Sequence, residues 1–138
     1  TNQRARMNIP SAVVNNLVST KRWSLGTATA FVRATHRCEY CSFDFLESVE
    51  ALKQMEVDHI VPLSKGGEPA DLDNLAIACR HCNFHLKRRW DPRSVAGEAA
   101  TRDDLLAAVR AHIISLKEAR MPWLREVRSI VGYTKSSA

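Results

Sequence analysis

Eight residues in the middle of the chain have types and spacings that could do chemistry. Cys38 and Cys41 form one C-x-x-C pair and Cys79 and Cys82 another; 37 residues separate the pairs, and the chain has no other cysteine. Between them, "EVDHIVPLSKGG" sets Asp58 and His59 in an apolar run that ends in a Pro and two Gly. Fourteen residues lie between His59 and Asn74, and eight between Asn74 and Asn83. Two C-x-x-C pairs can offer four thiolates to one tetrahedral ion, at Zn–S distances of about 2.3 Å, and close it to water, as structural zinc requires. A redox role would need only one pair in a thioredoxin-like setting, and disulfides would need an oxidising compartment for which the chain carries no signal. The spacing therefore predicts structural zinc, and zinc binding has no use for Asp58, His59, Asn74 or Asn83.

The elements that must position these residues follow from pattern. Apolar residues in "IPSAVVNNLVS" and "LGTATAFVRA" predict two short helices before the first pair. Met55 to Ile60 reads as a strand ended by Pro62, "SKGGEPADLD" as a loop, and "NLAIAC" as a second short strand opened by Asn74. A helix is expected from about Arg80 to Trp90 and is interrupted by "DPRSVAGE". Another begins at a cap formed by Thr101 with Asp104, buries Leu105, Val109, Ile113 and Leu116, and breaks or kinks at Pro122. The order is knuckle, strand, loop, strand, knuckle, helix, and zinc would stiffen a unit too small to hold itself by burial alone. The fold class expected is α+β, a zinc-stapled core of two antiparallel strands and a helix flanked by N- and C-terminal helices.

With 138 residues, 45% of them hydrophobic, the chain fits one domain of ordinary size. It divides into a basic helical segment (1–37), the zinc-bound core (38–93) and a helical C-terminal segment (94–138). No run approaches the roughly 18 to 20 apolar residues that span a bilayer, and "TNQRARMNIPSAVV" lacks the apolar stretch of a secretory signal. A cytoplasmic protein is expected, and the start at Thr1 without Met leaves room for an upstream segment. The net charge of +5 is uneven: residues 1–38 hold six basic residues (Arg4, Arg6, Lys21, Arg22, Arg33, Arg37) and no acidic one, and residues 39–78 hold nine acidic and two basic. Basic flanks around an acidic centre suit a protein that grips a polyanion and keeps carboxylates, with a metal, at the middle. Solvated surface faces would give the same count.

The run "VDHIVPLSKGG…DNLAIACRHCN", preceded by "CEYC", resembles the HNH endonuclease family in its four-cysteine form, with a ββα-metal fold. The likeness covers roughly Arg37 to Arg93 and implies metal-dependent hydrolysis of nucleic acid phosphodiesters. Carried over by motif position, it makes His59 the general base, gives Asp58 and Asn83 the catalytic divalent ion, and has Asn74 fix the loop that orients His59. Asn83 stands where the motif's third letter is often His. Many relatives place Lys three residues after this position and then Gly; here "NFHLKRR" has Lys87 at four and no Gly.

The chemistry is coherent without the resemblance. Phosphodiester hydrolysis needs a base for water, a cation against the growing charge, and geometry that holds them in line. Histidine, with an ordinary pKa of about 6.5, can take that proton while neutral. A carboxylate and an amide oxygen are hard ligands suited to Mg²⁺ or another divalent ion, and so light a set implies weak binding completed by substrate. Adjacent strand residues point to opposite faces, so local twisting before Pro62 must bring Asp58 and His59 to one site. Lys87, Arg88 and Arg89 are expected to contact nucleic acid, with double-stranded DNA the expected partner. His85, about 200° round a helix from Asn83, should miss that residue's face, His36, His81 and His112 read as structural or surface residues, and Trp23, Trp90 and Trp123 as core. The other reading is a non-catalytic, zinc-stabilised nucleic-acid-binding module, which would need the cysteines and basic flanks but not the Asp-His-Asn-Asn set.

Overall fold

The structure is a computed structural model that describes residues 9–135. Arg4 and Arg6 lie outside the described residues. Two helices lead, α1 (Ser11–Ser19) and α2 (Leu25–Arg33), the second started by Ser24, whose side chain accepts from the Thr27 amide. The first knuckle follows, its turn closed by the Cys38 amide on Phe43 O and the Ser42 amide on Cys38 O. A helix the sequence reading does not include, α3 (Val49–Lys53), is capped by Ser48 on the Ala51 amide.

Two strands, β1 (Met55–His59) and β2 (Leu75–Cys79), pair antiparallel with Met55 opposite Cys79 and His59 opposite Leu75. Asn74 closes a short 3-10 turn (Leu72–Asn74) before β2 instead of opening the strand. After β2 the chain turns into a π-helix, His81–Lys87. Its wider winding shows in the Arg88 amide, which reaches back five residues to Asn83 O at 2.8 Å. Arg88 ends it with φ +54°, a left-handed conformation that breaks the expected run to Trp90. Within "DPRSVAGE" lies one more short helix, α4 (Arg93–Ala96).

The last helix, α5 (Arg102–Val131), has the anticipated cap: Thr101 accepts from the Asp104 amide, and the Asp104 carboxylate accepts from the Thr101 amide. Its buried stripe is Leu106, Val109 and Ile113, with Leu105 and Leu116 only partly covered. The helix does not break at Pro122 but runs through it. That half of α5 is exposed, so water can take the Glu118 carbonyl that loses its amide partner. The stripe joins a core with Phe31, Phe45, Ile60, Ile77 and Leu86, and α5 lies against the π-helix. Trp23 and Trp90 pack partly against this core, whereas Trp123 is 69% exposed, against expectation, because the core stops short of it.

Candidate active site and metal centre

The four cysteine sulfurs lie within 4.8 Å of one another, and Cys41 Sγ is 3.7 Å from Cys79 Sγ. An ideal tetrahedron of about 2.3 Å bonds has edges of roughly 3.8 Å, so the cluster has the size of a zinc site. Backbone amides of Tyr40 and Cys79 point at Cys38 Sγ, and that of Cys82 at Cys79 Sγ, which favours thiolates. The thiols compete for protons. Hydrogen bonding with Cys38 holds Cys41 below its ordinary value and brings Cys79 to about 7, while bonding with Cys41 raises Cys38, and bonding with Cys38 raises Cys82. A divalent cation is what lets all four ionise together.

The knuckle also reaches into the site beside it. Tyr40, inside "CEYC", donates from its hydroxyl to Asp58 Oδ2 at 2.6 Å. Burial first, then the nearby Asp58 charge, pushes the phenol well above its ordinary range, so it stays a donor. Glu39 accepts from the Ile77 amide and from Arg102, lies 3.7 Å from Arg33, and its backbone carbonyl accepts from Arg110. The knuckle is thus tied to α2, β2 and α5.

β1 sorts the central residues by its period of two. Glu56 and Asp58 face the π-helix; Asn83 Nδ2 donates to Glu56 Oε1 at 3.0 Å, and Lys87 Nζ lies 2.9 Å from Asp58 Oδ2. With Tyr40 and Lys87 both on Oδ2, Asp58 Oδ1 has no hydrogen bond among the described residues, and neither has Asn83 Oδ1. Because a carboxylate only accepts, Glu56 fixes which way the Asn83 amide is turned. Lys87, expected at nucleic acid, is wholly buried, pairs with Asp58 and donates to His59 O. It shares the face of Asn83 toward β1, four residues on, and cannot reach a phosphate from there.

His59 leaves the strand half-buried, with Nε2 3.1 Å from Pro69 O. A carbonyl only accepts, so Nε2 carries the proton and Nδ1 the lone pair. The loop that supplies this carbonyl is held by Asn74: its Oδ1 accepts from the Val61 amide at 2.8 Å, and its Nδ2 donates to Val61 O and Glu68 O. Gly67 is required at the same place, because a Cβ there would lie 1.9 Å from Val61 O. His59 and Asp58 line one cavity with Pro62 and Ser64; Asn83 lines the next; exposed Arg88 and Arg89 border both.

The four clustered cysteines close two antiparallel strands and a helix into a small α+β core. Residues 38–89 match the HNH endonuclease family. No curated relative and no solved structure matches the chain. The HNH segment supports a nuclease-type function in general terms and takes in all eight residues singled out from the sequence. Sequence reasoning missed three participants. Glu56 was available from the period of two that puts it on the face of Asp58. Tyr40 and the inward turn of Lys87 had no local signal. His85 does lie away from Asn83, in a cavity with His81 and α5. His36 bonds Asp44, and His112 stacks on Trp90 at 4.0 Å. Among the described residues no helix is long and apolar enough to cross a membrane.

Proposed function

We propose that the chain is a metal-dependent endonuclease that hydrolyses phosphodiester bonds of double-stranded DNA, with His59 as general base. The observation that carries this is the hydrogen bond from His59 Nε2 to Pro69 O, which leaves Nδ1 unprotonated on a residue that lines one cavity with Asp58, Arg88 and Arg89. Nδ1 takes a proton from the attacking water, and the Pro69 carbonyl steadies the imidazolium that results. Arg88 and Arg89, exposed at the rim, hold the phosphate backbone without reading bases.

Asp58 Oδ1 and Asn83 Oδ1 fit a hard divalent ion such as Mg²⁺, and Glu56 keeps the Asn83 oxygen turned outward by holding its NH₂ group. When bound, that ion would offset the charge that builds on the phosphoryl and leaving oxygens. Lys87 already neutralises part of Asp58, so affinity for the ion is expected to be weak and completed by substrate.

Incubation of supercoiled plasmid with and without Mg²⁺ tests this. Wild type should nick or linearise it only with the ion. His59→Ala should retain fold and DNA affinity and lose at least about a hundredfold in rate, the usual contribution of a positioned base. Equal rates in the two proteins would overturn the assignment.

A further inference from the structure

On the far side of the π-helix from Asn83, a second cavity of about 450 Å³ is lined by His81, His85, Lys117, Arg120, Trp123 and Leu124. Its volume is in the range of small-ligand sites. No carboxylate lines it, and Lys117 has no hydrogen-bond or ion-pair partner among the described residues. Arg120 is held in place by donating to His85 O at 3.1 Å. Two imidazoles four residues apart on a helix, their rings 5.8 Å apart, would also suit a divalent metal, but the two cationic side chains in the same cavity oppose one.

The apolar part of the wall is as informative as the charged part. Trp123 is 69% exposed and no ring or cation is placed against it among the described residues. Cations beside an open indole face match a ligand that carries a phosphate and a flat ring together. We propose that this cavity binds an unpaired nucleotide of the nucleic acid, its phosphate against Lys117 and Arg120 and its base stacked on Trp123. The proposal rests on the nuclease reading for the class of ligand, but it concerns binding and not cleavage. Stacking fits an unpaired base because every base has a π-face that a duplex hides.

The test uses the full zinc-loaded chain without added Mg²⁺ and three labelled probes: a single strand, a blunt duplex and a duplex with an overhang. Wild type should prefer the overhang to the blunt end. Trp123→Ala should weaken single-strand and overhang binding about tenfold, within the usual range for one stacked base, and leave the blunt duplex unchanged. Trp123→Phe should retain most of the affinity. Replacing Lys117 and Arg120 together by Ala should lower the single-strand salt slope by about 0.7 per lost contact. Wild-type affinity of Trp123→Ala for all three probes would overturn the proposal. So would competition by inorganic phosphate that is equally effective against wild type and Trp123→Ala, which would make the cavity an anion site only. Plasmid cleavage by wild type is read separately, so failure here and failure of the nuclease reading are distinguishable.

Discussion

Asp58 is the residue on which most of the site converges, and its two oxygens are unequal. Oδ2 takes the Tyr40 hydroxyl and the Lys87 ammonium, both buried, and Oδ1 is left for chemistry. Replacing Asp58 by Ala would strand a buried ammonium, which typically costs about 3–5 kcal/mol. Asp58→Asn keeps an oxygen for both donors and should cost much less. Both should abolish plasmid cleavage, and urea denaturation should separate them; equal stability would show that the pair does not support the fold. Tyr40→Phe removes one hydrogen bond to a charged group, and about 1.5–3 kcal/mol is expected to go with it. At this scale the sequence was legible where a residue's chemistry is its own, as with the four cysteines that come together. It was silent where a role depends on a partner far along the chain, as with Tyr40 and Asp58, eighteen residues apart.

The elements explain why the loop after β1 is as exacting as the strand. Gly66 has φ +89° with open space around it, whereas Gly67 faces the Val61 carbonyl at a distance no Cβ can tolerate. Gly66→Ala should therefore cost only about 1–2 kcal/mol of left-handed strain and keep activity. Gly67→Ala must push the Val61–Glu68 hairpin apart, so it should be less stable than Gly66→Ala and should lose cleavage as Pro69 O moves off His59. Thermal melts with plasmid cleavage for the two variants check this, and equal activity would detach the loop from His59. The turn residues made this loop readable from sequence. The π-helix was not, because seven residues with Cys82 and Leu86 buried satisfy an α or a π winding alike.

For the whole molecule the zinc cluster matters through what it anchors. The basic N-terminal segment reads from composition as a grip for DNA, yet Arg33 is spent inside, donating to Leu72 O and Leu75 O and flanking Glu39 with Arg102. A count of charges cannot distinguish a solvated arginine from one that stitches three elements together. Glu39 and Tyr40 are neighbours in the first knuckle, so the loop that zinc would close also carries the clamp on β2 and α5 and the hydrogen bond to Asp58. Zinc should then control activity without taking part in it. Purified protein should hold about one zinc per chain, and its removal by a chelator should abolish cooperative melting and cleavage together, with Mg²⁺ in excess unable to restore either. Cys82→Ser, at a fully buried position, should aggregate or unfold, whereas Glu39→Gln should keep its zinc and lose stability. Because all four thiols must ionise and bonding within the cluster raises Cys38 and Cys82, zinc capture should strengthen as pH rises. Elemental analysis beside melting curves checks each arm. Zinc-free protein that melts cooperatively and still cuts plasmid would show that Tyr40 and Glu39 hold the core without the metal.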